Sequence, residues 1–165
     1  MKRKMYDSMC RWKEENGRTA LLIDGARRVG KSYIAQQFGE NEYKSYILID
    51  FNRAPAEITD LFIHYLNDLD MFFLYLSNFY GVKLYERESL IIFDEVQLFP
   101  KARAAIKYLV EDGRYDYIET GSLMTIKKNV ADIVIPSEER HMKMYPLDFE
   151  EFLWALDNDT LMDFI

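Results

Sequence analysis

The chain has 165 residues, 49% hydrophobic and 30% charged, which is enough for one domain with a buried core. A net charge of −7 and a pI near 4.9 argue against general binding to nucleic acid, and one cysteine, Cys10, excludes an intrachain disulfide and suits a reducing cytoplasm. Two histidines beside that cysteine argue against a zinc site, the basic N-terminus lacks the apolar run of a signal peptide, and no stretch reaches the ~18 apolar residues of a membrane span.

In chain order, Tyr6 to Asn16 has helical spacing and Asn16-Gly17 is a stop. Trp12 on this helix is assigned to core packing, with a place near a nucleotide base as the alternative. Thr19 to Asp24 reads as a buried strand. Gly25-Ala26-Arg27-Arg28-Val29-Gly30-Lys31-Ser32 follows, and a helix opens at Tyr33. Ser45 to Phe51 is a strand buried on both faces, as its near-continuous apolar run implies. Pro55 opens a helix from Ala56 to Leu69 with Leu61, Phe62, Tyr65, Leu66 and Leu69 inward. Met71 to Tyr80 is a helix apolar nearly all round; it reads as a core helix or, alternatively, as a partner surface. Ser89 to Glu95 is a strand ending in two acids. Pro100 to Asp112 is a helix stopped by Gly113. Tyr115 to Thr120 is a strand, Gly121-Ser122 a turn, and Leu123 to Ala131 a short helix. His141 to Tyr145 is a fifth strand, and Asp148 N-caps a helix through Asp157. Strands alternating with helices predict an α/β fold with a mainly parallel sheet.

The stretch Gly25 to Ser32 fits G-x-x-x-x-G-K-[ST], a phosphate-binding loop, and lies at the strand-to-helix junction that this chemistry needs. Gly25 and Gly30 let the backbone curl so that successive N–H groups converge, and the helix N-terminus adds more of them. Gly25, Ala26, Arg27, Arg28, Val29, Gly30, Lys31, Ser32 and Tyr33 are the expected nucleotide-binding residues. Lys31 would face the β- and γ-phosphates of ATP, and the Ser32 hydroxyl would hold Mg²⁺. Ligands of a parallel sheet gather at the carboxyl ends of its strands. Asp94 and Glu95 lie at one such end and Thr120-Gly121-Ser122 at another. Asp94 is the expected second Mg²⁺ ligand and Glu95 the group that polarises the attacking water. The alternative for Glu95 is a solvated strand-end acid. Thr120 is expected to sense the γ-phosphate or the water, with Ser122 a weaker candidate; the alternative is a turn whose hydroxyls satisfy backbone groups. Arg27 and Arg28 have phosphate, a neighbouring subunit, Asp24 or Glu119 as possible partners. Arg140 is an arginine finger or a solvated loop arginine.

Four segments together resemble a group of prokaryotic AAA-type P-loop ATPases. Gly25 to Ser32 resembles that group's G-x-R-R-V-G-K-[ST] loop, and Phe93 to Gln97 its D-E-[IV]-Q segment. Ile118 to Ser122 resembles its T-G-S segment, and Tyr145 to Leu153 its P-L-S-F-x-E-F-L segment. The resemblance implies a three-layer P-loop core of the additional-strand class with strand order 5-1-4-3-2. It also implies Mg-ATP binding and slow hydrolysis coupled to conformational change. The group's pattern has Gly before the arginine equivalent to Arg140, where this chain has Glu139. Members usually continue into a lid and a C-terminal domain, so the chain reads as a single ATPase core over residues 1–165 without them. The expected partners are ATP and ADP, with self-association or a protein partner at Met71 to Tyr80; no motif indicates nucleic acid. The competing readings are a small-molecule kinase on the same fold and a non-catalytic, nucleotide-dependent interaction module.

Overall fold

The computed structural model describes residues 3–26, 29–122, 139–146 and 148–155. Among them the strands are β1 Ala20–Asp24, β2 Ser45–Asp50, β3 Ser89–Asp94, β4 Asp116–Gly121 and β5 Glu139–Lys143. The helices are α1 Lys4–Lys13, α2 Lys31–Glu42, α3 Ala56–His64, α4 Leu69–Tyr80, α5 Pro100–Asp112 and α6 Phe149–Ala155. The sheet order is β2-β3-β4-β1-β5 and every pairing is parallel. From the other edge this is the expected 5-1-4-3-2, in a three-layer α/β core.

Burial explains the layering. β1, β3 and β4 are buried along their whole length, as central parallel strands covered on both faces must be. One face packs Leu22, Ile49, Phe93 and Tyr117 against α3, α4 and α5. The other packs Leu21, Ile23, Ile92 and Ile118 against α1 and α2. The aromatic content goes largely into the first layer. Phe62 meets Phe72, Phe93, Phe51 and Phe99 at centroid distances of 5.1, 5.5, 5.7 and 5.8 Å, in edge-to-face pairs. Trp12 is core, as assigned: it is buried, lies against Phe38, and its indole N–H donates to the Thr19 carbonyl at 3.0 Å.

Several expectations need correction. α1 runs Lys4–Lys13, and Asn16 and Gly17, at φ 57° and 78°, form the turn beyond it. β2 is an edge strand whose alternate residues are only half-buried, not a strand buried on both faces; an apolar run alone does not say whether a strand is central. The helix expected to Leu69 stops at His64, because Asp68 caps a new helix by accepting from the Met71 N–H at 3.3 Å. α4 buries Phe72, Phe73 and Leu76 but leaves Leu74, Tyr75 and Phe79 41–50% exposed, so core and surface readings each hold for one face. β5 starts at Glu139 and ends at Lys143, before Tyr145. The segments expected at Leu123 to Ala131 and beyond Ala155 lie outside the described residues.

Glu139 has an internal role. Arg103 on α5 grips its buried carboxylate with two bonds, Nη2 to Oε1 at 2.6 Å and Nε to Oε2 at 3.0 Å, and His141 Nε2 lies 2.7 Å from Oε1. Glu119 of β4 is fully buried beside this pair. Burial, and then the Glu139 carboxylate, hold the Glu119 carboxyl well above its ordinary value; at Glu139 burial is opposed by the bonds to Arg103 and Glu119 and by the charges of Arg103 and His141, which together hold that group below it.

Candidate functional site

The carboxyl ends of β1, β3 and β4 are brought level by the register. Asp24 lies opposite Gly121, and Phe93 opposite Glu119. The loop after Asp24 passes close to the chain leaving β5, where the Met144 N–H donates to the Asp24 carbonyl at 2.7 Å. A Cβ at Gly25 would lie 2.4 Å from the Met144 carbonyl oxygen, a backbone atom with no room to retreat. Glycine is therefore required here by close approach. Gly30 adopts φ 97° as the N-cap of α2, a left-handed conformation that glycine supplies without strain.

Lys31, the first residue of α2, is buried, and its ammonium donates to the carbonyls of Gly25 and Ala26, both at 2.8 Å. The side chain thus closes over its own loop. Ser32 and Asp94, 62 residues apart in sequence, meet: Ser32 Oγ donates to Asp94 Oδ1 at 2.5 Å. The Thr120 hydroxyl donates to the same oxygen at 2.7 Å and accepts from the Glu95 N–H at 3.0 Å. Asp94 is buried and Glu95 half-buried. Tyr33 is 50% exposed, and Ser122 follows the end of β4. Arg27 and Arg28 lie outside the described residues. Arg140 lies within β5 opposite Leu21, three positions before the strand's end, and pairs with Glu15.

Glu95 itself sits at φ 58°, ψ 50°, a left-handed conformation that costs a non-glycine residue about 1 kcal/mol or more. It ends β3 and starts the short 3₁₀ turn Val96–Leu98. Its carboxylate accepts from the Gln97 amide. Two participants were not assigned from sequence. Gln97 stands in the D-E-V-Q segment, but no role was read from it. Arg3, whose guanidinium donates to the Val29 carbonyl at 2.9 Å, precedes the loop by more than twenty residues, and only its place beside a helix start marks it.

The donor set suits a small hard cation. A hydroxyl and a carboxylate oxygen stand side by side, both hard oxygen donors of the kind Mg²⁺ prefers. No group of three or more acidic, histidine or cysteine side chains that could hold a metal occurs among the described residues. No helix among them is long and apolar enough to cross a membrane. Lys31 folded over its own loop, the Ser32–Asp94 pair, Thr120 and the neighbouring Glu95 thus stand together at the carboxyl end of the sheet.

The uncharacterized protein MJ1637 of Methanocaldococcus jannaschii is 24% identical to this chain over 146 residues. That alignment covers 88% of this chain and 30% of MJ1637, so the chain spans under a third of that relative's length. Among solved structures, C. elegans PCH-2 superposes over 97% of this chain and 46% of its own, at a TM-score of 0.47 and 10% identity. The family model described as AAA domain (AAA_14) matches residues 17–153, from the turn before β1 into α6, and the chain belongs to this family of AAA-type P-loop domains.

Proposed function

We propose that this chain binds Mg-ATP and hydrolyses it slowly, as an ATPase core whose occupancy alters its conformation. The observation that carries this reading is the contact of Ser32 with Asp94 at the head of the phosphate loop. A hydroxyl from the head of α2 and a carboxylate from the end of β3 meet there, the pair of oxygen donors that Mg²⁺ beside a bound polyphosphate would use. The loop amides from Gly25 to Tyr33 would hold the phosphates, with Arg27 and Arg28 on the same loop. Lys31 would exchange the carbonyls of Gly25 and Ala26 for phosphate oxygens. Mg²⁺ between Ser32 and Asp94 would neutralise charge on the phosphates. Glu95 would take the proton of the attacking water, and Thr120, bonded to both acids' residues, would report the state of the phosphate. Asp-Glu at the end of β3 favours water over another acceptor, which places hydrolysis ahead of a small-molecule kinase. A reducing cytoplasm, which the lone cysteine suits, is the setting proposed for this activity.

Calorimetry tests it. The unmodified chain is expected to bind Mg-ATP, and Lys31→Ala to weaken binding roughly 10- to 100-fold, the worth of one charge-assisted contact. Equal affinity in the two proteins would overturn the assignment.

The partner surface in this reading is the outer face of α4, where Leu74, Tyr75 and Phe79 are exposed. Sedimentation is expected to show concentration-dependent self-association that Phe79→Asp removes. A monomer at high concentration would sink this part alone.

A further inference from the structure

The segment Tyr145 to Leu153 has a counterpart in the resembling family, and its contacts lead to the phosphate loop. Glu151 on α6 is buried. Its Oε2 accepts from Arg3 Nε at 3.3 Å and from the Lys4 backbone N–H at 2.8 Å. Its Oε1 accepts from the Asp148 N–H at 3.2 Å, while its own N–H donates to Asp148 Oδ1 at 2.8 Å. That reciprocal pair is a capping box, which fixes the start of α6. Arg3 is only 6% exposed. Besides Glu151, it donates from Nη1 to the Val29 carbonyl at 2.9 Å and from Nη2 to the Tyr145 carbonyl at 2.6 Å. One guanidinium thus grips the phosphate loop, the chain leaving β5, and α6. A buried guanidinium needs all of these acceptors, so losing one weakens its hold on the others.

The direction of one bond gives this clamp a use. In a trans peptide the C=O and N–H point opposite ways, and the described residues contain no cis bond. Holding the Val29 carbonyl on the Arg3 side therefore turns the Gly30 N–H away from Arg3. That N–H opens the run of amides leading into α2. We propose that Arg3 is a positioning residue: it aims the Gly30 N–H at phosphate and, through Glu151, couples phosphate binding to the seating of α6. The proposal rests on the reading of the loop as an ATP site. By linkage, whatever unseats α6 weakens the loop, and a filled loop holds α6 more firmly. Arg3 lies outside the residues that the family model matches.

Two measurements on the full chain test it. The first uses no nucleotide. The Ile34 N–H donates to the Gly30 carbonyl at 3.0 Å, so its hydrogen exchange reports on the Gly30 peptides. Glu151→Gln is expected to speed that exchange about tenfold, within the usual range of coupling between sites. Lys4→Ala, which removes only the half-exposed pairs with Asp148 and Glu150, should change it by less than about twofold. Faster exchange in α6 with Ile34 unchanged overturns the relay. The second is Mg-ATP affinity. Arg3→Ala and Glu151→Gln are each expected to weaken it roughly tenfold, and the double variant no further than the worse single one. Multiplying losses would mean two independent effects and would also overturn the proposal. Should the unmodified chain bind no Mg-ATP, the nucleotide reading fails, and the exchange measurement still decides whether Arg3 joins α6 to the loop.

Discussion

Glu95→Gln is expected to lower Mg-ATP turnover at least ~100-fold and to leave Mg-ATP affinity within about twofold. The change keeps the shape of the side chain and removes its basicity. A positioned general base contributes roughly 10²- to 10⁴-fold to a rate, so the lower end of that range is a demanding threshold. Binding should survive because the groups proposed to hold phosphate are elsewhere: the amides from Gly25 onward, Lys31, and the Ser32–Asp94 pair. The backbone at Glu95 should survive too, since its left-handed conformation is held by the N–H bond to Thr120 and by the 3₁₀ turn that follows. Phosphate release under single-turnover conditions, beside calorimetry on the same preparation, separates the two effects. Turnover unchanged in Glu95→Gln would mean that Glu95 is a strand-end acid with no part in the chemistry. Turnover and binding lost together would mean that the carboxylate shapes the site rather than activating water.

The sequence made the site legible where chemistry fixes spacing. G-x-x-x-x-G-K-S can close only as a loop between strand and helix, and an apolar run ending in Asp-Glu places its acids at a strand's carboxyl end. The parallel sheet then brings Asp94 and Thr120 to Ser32 without further information. What stayed hidden depends on tertiary partners. Arg3 is one basic residue among several near the N-terminus, and nothing local says that its guanidinium is buried against Val29, Tyr145 and Glu151. The break between α3 and α4 was expected at Asp70, several residues late, because Tyr65, Leu66 and Leu69 extend the apolar spacing; Asp68 starts the second helix as a cap, and caps act through one side chain rather than through periodicity. β2 read as buried on both faces because its residues are apolar, yet it sits at the sheet's edge and its alternate residues are only half-buried. Nothing in the sequence marked Glu119 and Glu139 as buried partners. A glutamate inside a strand looks like a solvated residue until an arginine from α5 is seen above it.

That buried cluster leads to the second large effect. Arg103→Met is expected to destabilise the chain by about 3–5 kcal/mol near neutral pH, the range for removing one partner of a buried ion pair. The side chain of Arg103 is 2% exposed and that of Glu139 is fully buried. Methionine would keep most of the stem's packing and leave the Glu139 carboxylate without its guanidinium, facing Glu119. The pH dependence gives the sign. In the unmodified chain Arg103 holds the Glu139 carboxyl below its ordinary value. The stability this contributes is present above the ordinary glutamate range and is lost as pH falls through the lowered folded value. In Arg103→Met the same carboxyl has burial without its guanidinium, so its folded value rises, and the variant gains stability as pH falls toward the ordinary range. The gap between the two proteins should therefore narrow on acidification. Glu119 runs the other way already in the unmodified chain: its raised carboxyl contributes below the ordinary range and loses that contribution as pH rises through the raised folded value. Glu119→Gln, a neutral isostere of the protonated acid, should flatten that slope. Adding Glu139→Gln to Arg103→Met removes the stranded charge and is expected to recover most of the loss, because replacing both partners of a buried pair is often near neutral. Denaturant titrations across pH measure all four proteins. A loss under about 1 kcal/mol for Arg103→Met, or a gap that stays constant with pH, would show that the cluster is open to water and its charges screened.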